Sequence, residues 1–313
     1  MPEFRPFSKI SQKMKKILTK SLVLLLCLSA PLNLSAAELT VTFLDVGQGD
    51  SILIQTPNGK SMLIDAGGMP SWKLSDYDPG ESVVAPFLKS NNINKLDCVV
   101  ATHADGDHIG GLPAVIRSIP AVGIVYENGF EGESPEYQRL HEVIKSRKIF
   151  SSTLRAGMHI NLDPSVTFYV LSPPKDFYFE DSNNNSIVMR MVYGEVSFLF
   201  AADVEYEGEY NILRKYSDKI QSTILKVGHH GSSTSTSDEF FATVSPEIVV
   251  IPVGKYNGFG HPYTGTMAKF SDAGTEVFRT DQVGYIRIDT DGNTFGVKTE
   301  RAQIKIPNNK KKR

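Results

Sequence analysis

The chain has 313 residues, 41% of them apolar and 22% charged, the composition of an ordinary soluble protein able to bury a substantial core in one large domain or two modest ones. Without residues 1–37 it carries 27 Lys and Arg against 34 Asp and Glu, a formal charge near −7. That balance excludes a broad basic face for nucleic acid, leaving only the "KKKR" end (Lys310 to Arg313) for local phosphate contacts.

In chain order, basic "MPEFRPFSKISQKMKK", apolar "LVLLLCLSAPLNL" and small "SAAEL" read as an export signal cleaved after Ala37, the alternative being a retained membrane anchor. The apolar run is shorter than the roughly 20 residues that span a bilayer. A secreted or periplasmic protein with no stable membrane span after cleavage is expected. Cleavage removes Cys27 and leaves Cys98, inside an apolar run, to pack as a small hydrophobe with no internal disulfide.

From Glu38, "LTVTFLDVG", "DSILIQT" and "KSMLIDAGG" predict a three-stranded meander around the Gly47-Gln48-Gly49 bend and a "PNG" turn. A loop over 67–80 leads to helical spacing in "ESVVAPFLKSNN", a buried strand "LDCVVATH", helical "GGLPAVIRSI" and a charged helix "PEYQRLHEVIKSRK". Strands "VTFYVLSP", "NSIVMRMVYG" and "VSFLFAADV" follow, the last two joined by a tight "YGE" turn. Helical "YEGEYNILRKYSDK", strand "STILKVG", helix-like "SDEFFATV", strand "EIVVIPVG" and helix-like "TGTMAKFSDA" precede a closing hairpin around Asp291-Gly292. Hairpins plus helices in two similar halves predict two facing sheets with helices outside, one domain over 38–300 and a disordered basic tail over 301–313.

Five of the seven histidines fall in "THADGDHIGG", "VGHHGSS" and "GFGHPY", each just after a predicted strand. Asp65 ends "MLIDAGG" and Asp203 ends "FLFAADVE". Imidazole and carboxylate are the ligands of zinc, manganese or iron, and strand ends are where rigid scaffolds present such groups. In the loop His103-x-Asp105-x-Asp107-His108, alternate side chains can face one cavity, with His108 opening the next helix. A pair of divalent ions held by this many donors generates hydroxide near neutral pH and clamps attacking and leaving oxygens.

Some residues have a second reading. Asp203 could cap the helix after it, and His261 could be a ligand, a substrate contact or structural. In an extended "GHHG", neighbouring side chains point opposite ways, so one histidine binds metal. His229 is favoured as that ligand, with His230 close behind or acting as general acid. Asp45 and Asp50 could stabilise the "GQG" turn. His141 and His159 read as surface or packing residues.

"HADGDHIGG" is similar to the metal-binding signature of the metallo-β-lactamase superfamily, His-x-His-x-Asp-His, with Asp105 replacing the second histidine. "FLDVGQGDSILI", "LIDAGG", "NNNSIVMRMVYGEVSFLFAADVE", "LKVGHHGSS" and "GFGHP" resemble, in order, the hydrolase domain of the ComEC-type competence proteins. The likeness runs from about Leu39 to about Thr299 and has no counterpart to their membrane channel. It implies a four-layer αββα sandwich with a site at one edge of the two mixed sheets. It further implies one or two divalent ions, zinc or manganese, per chain. His103 and Asp105 would serve a first metal position, and Asp107, His108 and a histidine of the pair a second. Asp203 would bridge them, with Asp65 and Asp50 supporting the ligand loop. No histidine occurs from 160 to 228, where the superfamily usually has one; Asn183 to Ser186 fill the gap and make the first position richer in oxygen, which favours manganese or magnesium there.

The expected activity is an exported metal-dependent phosphodiesterase or nuclease acting through metal-bound hydroxide on DNA or nucleotide fragments, with Asp107, His230 and Asp203 as catalytic residues. The alternatives are a lactone, ester or β-lactam hydrolase, its substrate chosen by loops 67–80 and 126–136, and a binding domain without turnover. The partner expected is a small-molecule or oligonucleotide substrate, with no obligate protein partner.

Overall fold

A computed structural model describes residues 38–68 and 77–301, with the backbone of 303–304. The expected signal (1–37), most of the 67–80 loop and the basic tail from 305 lie outside the described residues. Strands β1 (Leu39–Phe43), β2 (Ile52–Gln55) and β3 (Ser61–Ile64) form the antiparallel meander. From β3 the sheet continues in parallel through β4 (Lys95–Ala101), β5 (Ala121–Glu127) and β6 (Phe150–Thr153). A second sheet begins with antiparallel β7 (His159–Asp163), β8 (Val166–Ser172), β9 (Val188–Tyr193) and β10 (Val196–Phe200). It turns parallel through β11 (Ile224–Lys226), β12 (Ile248–Ile251) and β13 (Glu276–Arg279). The chain then returns: β14 (Ile286–Thr290) pairs with β1 and carries β15 (Phe295–Thr299) and β16 (Gln303–Ile304), making mixed sheets of nine and seven strands.

Alternation along the strands builds the layers. Phe43, Ile54, Met62 and Val100 of the first sheet meet Phe168, Met189, Phe198 and Phe200 of the second in one buried core, with the Phe43 and Phe200 rings 6.4 Å apart. The opposite faces, Leu53, Leu63 and Val99 on one sheet and Leu199, Leu225 and Val249 on the other, lie under helices. Helices α1 (Ala85–Ser90), α2 (Gly106–Ile109), α3 (Leu112–Ser118) and α4 (Pro135–Ser146) belong to the first half of the chain. Helices α5 (Tyr206–Tyr216), α6 (Asp238–Val244) and α7 (Thr264–Asp272) belong to the second. α4 shows the local logic: the Ser134 hydroxyl accepts the Tyr137 N–H, Pro135 opens the helix, and Leu140, Val143 and Ile144 bury one stripe. The result is the expected αββα sandwich. Cys98 is buried in the inter-sheet core as a free thiol.

Two expectations change. The 126–136 loop is shorter at both ends, because Tyr126 and Glu127 still pair with Ser152 and Thr153 in the sheet and Pro135 and Glu136 open α4. β5 alternates poorly in burial, which hides it as a sequence pattern. Asp203 is not the cap of α5; Glu205 holds that place, while Asp203 is buried two residues earlier. Among the described residues no helix is long and apolar enough to cross a membrane.

Candidate metal centre

The carboxyl ends of five strands open onto one cleft. β3 delivers Asp65, β4 the 102–108 loop, β10 Asp203, β11 the 228–231 turn and β12 the segment that leads to His261. Gly49 and Gly68 let these segments touch. A Cβ on Gly49 (φ +129°) would sit 2.0 Å from the Asp107 carbonyl oxygen, and one on Gly68 (φ +149°) 2.0 Å from that of Gly106. The ligand loop is further tied down by the Ala66 N–H donating to the His108 carbonyl and the Gly111 N–H to the Gly67 carbonyl.

Asp65 organises the first half of the cleft. Its carboxylate accepts the Thr102 N–H (2.9 Å) and hydroxyl (2.7 Å), and its Oδ2 lies 2.8 Å from His108 Nδ1. With Nδ1 so engaged, His108 turns Nε2 to 3.2 Å from Asp203 Oδ1. His230 is held in the same way: Nδ1 lies 2.9 Å from the Pro252 carbonyl oxygen, and Nε2 faces Asp203 Oδ2 at 3.4 Å and Asp107 Oδ2 at 3.5 Å. His103, also fully buried, lies with its ring 4.2 Å from that of His108, tilted by 52°, and points Nε2 towards Asp105 Oδ2 at 3.8 Å.

The "HH" pair is not extended. His229 (φ 45°) and His230 (φ 52°) both lie in the left-handed region, in a tight turn that the flanking glycines and the Ala202 carbonyl, an acceptor for the His229 N–H, hold in place. The two rings still diverge, and they do so with His230 inward. His229, whose side chain is 24% exposed, stands at the mouth with Nδ1 2.9 Å from Glu205 Oε1 and Nε2 3.8 Å from Asp203 Oδ2. His261 meets its ring edge-on at 5.2 Å and stacks on Phe259 at 5.7 Å.

Three groups of side chains among the described residues could hold a metal ion: His103, His108 and Asp203; Asp107, His108 and His230; and Asp50, Asp65 and His108. The donor chemistry fits a divalent ion. His103 Nε2, His108 Nε2, His230 Nε2 and Asp203 Oδ1 are buried with no hydrogen-bond partner. Leaving such atoms unpaired is costly unless something binds them. Asp105 contributes less directly, its side chain being 43% exposed.

The two central carboxylates of the pocket are held ionised. Burial alone would raise the Asp107 pKa, yet the nearby His230 and His108 imidazoles bring it down to about 2; burial would also raise Asp203, but His108, His230 and Lys226 hold it well below the usual carboxylate range. Burial, then the neighbouring His108, lowers His103, and burial with His229 brings His261 to about 4, so both present free nitrogen lone pairs at neutral pH.

Sequence reasoning overlooked Lys226. Its ammonium, fully buried, lies 2.5 Å from Asp50 Oδ2 and 3.5 Å from Asp203 Oδ1. Burial would lower its pKa, but Asp50 and Asp203 raise it. A lysine within the apolar "STILKVG" strand was the signal. Asp50 therefore pairs with this lysine and does not brace the "GQG" turn, whereas Asp45 does accept the Gly47 N–H. Asn184 fills part of the region lacking a histidine; its side-chain oxygen accepts the Glu205 and Gly208 N–H groups and so shapes the turn after Asp203. His141 sits away from the cleft, 2.8 Å from Glu127, and His159 packs against Tyr169.

Comparison with known proteins matches these segments. The chain is 32% identical over 260 residues to "ComE operon protein 3" of Bacillus subtilis (strain 168), covering 80% of this chain and 33% of that protein. It is 30% identical over 267 residues to "Competence protein ComA" of Neisseria gonorrhoeae, covering 85% of this chain and 34% of that one. It is 30% identical over 271 residues to "Recombination protein 2" of Haemophilus influenzae, covering 85% and 31%. The chain thus spans about a third of the length of these relatives, in keeping with the ComEC-like motifs. Residues 44–255 match the metallo-beta-lactamase superfamily, a stretch that holds every cleft residue named above from Asp45 to His230 and stops short of Phe259 and His261; the chain belongs to that superfamily.

Proposed function

We propose that the protein is an exported, divalent-metal-dependent phosphodiesterase acting on DNA strands or nucleotide fragments. The observation that carries this reading is the set of buried, partnerless imidazole nitrogens of His103, His108 and His230 gathered around Asp107 and Asp203. His108, His230, Asp107 and Asp203 would hold one ion, and His103 with Asp203 and Asp105 would hold a second more loosely. The donor set suits zinc or manganese. A bound divalent ion supplies activated water near neutral pH and charge to offset the phosphorane oxygens.

The chain's own residues do the rest. Asp65 and the Pro252 carbonyl fix the two buried imidazoles, so little reorganisation is needed when substrate arrives. His229, oriented by Glu205, stands at the open side with its Nε2 turned towards Asp203, where it would serve to protonate a leaving oxygen. Phosphodiesters are favoured over carbonyl substrates because the relatives are named as competence and recombination proteins. The acidic mature chain favours short or single-stranded substrates over long duplex. Export rests on the order of basic, apolar and small residues at the N-terminus.

The test is incubation of the purified protein with manganese and an end-labelled single-stranded oligonucleotide. Shortened products, lost on chelation and in Asp107→Ala, are expected. An intact oligonucleotide with wild type, or equal cleavage by Asp107→Ala, overturns the reading. Hydrolysis of a chromogenic β-lactam or lactone with the oligonucleotide intact moves the activity to carbonyl carbon.

A further inference from the structure

Lys226 is an unusual component of a pocket that gathers cations. It sits on β11, fully buried, four residues before His230, and its ammonium makes three contacts on two chain segments, Asp50 and the Ala202-Asp203 turn. It donates to the Ala202 carbonyl oxygen at 2.6 Å, pairs with Asp50 at 2.5 Å and lies 3.5 Å from Asp203 Oδ1. Each contact leads to a proposed ligand. Ala202 is in the left-handed region (φ 46°), a strained conformation for a residue with a Cβ, and it immediately precedes Asp203. Asp50 Oδ1 lies 3.5 Å from His230 Nδ1, beside the Pro252 carbonyl that fixes that ring.

We propose that Lys226 is a positioning residue of the metal centre, its ammonium clamping the strained Ala202-Asp203 turn and the Asp50 carboxylate so that Asp203 and His230 are already aimed when the ion binds. The inference rests on reading His108, His230, Asp107 and Asp203 as a metal site, and not on which bond the protein cleaves. Outer partners of this kind are worth about 10- to 100-fold in metal affinity. A second possibility has the opposite sign: a fixed positive charge beside the site repels the incoming dication, so its removal tightens binding. The measured direction decides between them.

Removing the lysine alone leaves Asp50 as a buried unpaired carboxylate and endangers the fold. The test therefore compares wild type, Lys226→Met and the double variant Lys226→Met/Asp50→Asn, in which no ion is left unpaired. Manganese affinity is read by calorimetry, ligand geometry by the visible absorption of the cobalt(II) form, and fold by thermal melting. The expected result is a double variant that melts near wild type, binds manganese about 10- to 100-fold more weakly and shows an altered cobalt spectrum. Affinity within threefold of wild type with an unchanged spectrum overturns the proposal, as does tighter binding. A double variant that does not fold also overturns it, since the ammonium would then serve the fold and not the centre. If wild type itself binds neither metal, the reading of the site fails first, and this is seen separately from any variant.

Discussion

His108 and Asp65 are joined Nδ1 to Oδ2 at 2.8 Å, and the same carboxylate takes both the N–H and the hydroxyl of Thr102. One buried aspartate thus sets the imidazole's orientation and the entry of the loop that carries it. Asp65→Ala should lower manganese or zinc affinity by about 10- to 100-fold while leaving the side chains that face the cleft unchanged. Metal titration followed by elemental analysis of the desalted protein checks this; full metal retention would show that the loop holds His108 unaided.

His229 and His230 should separate cleanly by their readouts. His230→Ala removes a fully buried nitrogen aimed at Asp107 and Asp203, so bound metal should fall after gel filtration. His229→Ala, at the mouth against Glu205, should retain metal and lower turnover by about 10²- to 10⁴-fold, the usual range for a lost proton-transfer group. Equal metal loss in both variants would return His229 to the ligand set.

Asp163 links the turns of the two sheets. It accepts the Thr56 hydroxyl at 2.6 Å, the Asn58 N–H and amide, and the Ser165 N–H and hydroxyl. Burial would raise its pKa, but these donors hold it below the usual carboxylate range. Its stabilising contribution is therefore present above the unfolded-state value, about 3.9, and lost as pH falls below it. Asp163→Ala should cost about 2–4 kcal/mol in urea unfolding at neutral pH and less in acid; a shift under half a kcal/mol would deny it that role.

Glu209, fully buried, accepts the Ser237 N–H at 2.8 Å and the Thr236 N–H, bracing the chain between the histidine pair and α6. Burial outweighs these donors and pushes its carboxyl up to about 6 from 4.5. A raised acid binds its proton more tightly folded than unfolded, so stability should fall by ~2 kcal/mol as pH rises from about 4.5 to about 6, and stay lower above. Melting curves across that window should show the slope in wild type and lose it in Glu209→Gln.

Much of the sandwich was legible because its strands alternate or run apolar between turn residues, as in "DSILIQT" and "VSFLFAAD", and because "DG" marks the last hairpin. β5 and β6 were not, since their half-exposed faces leave no clean period. In the cleft, the spacing of His103 to His108 announced a site. The order within the histidine pair depended on two successive left-handed residues, which no local pattern in "GHHG" encodes. Lys226 was hidden because its partners, Asp50 and Asp203, stand 176 and 23 positions away in the chain.

The bare backbone at Gly49 and Gly68 has a consequence for anyone surveying variants of this chain. Neither position offers a functional group, yet an added methyl at either would collide with a main-chain oxygen of the 102–108 loop. In a saturation library these two sites should score as intolerant as Asp107 or His108, so inactivity by itself will not identify the atoms that touch metal.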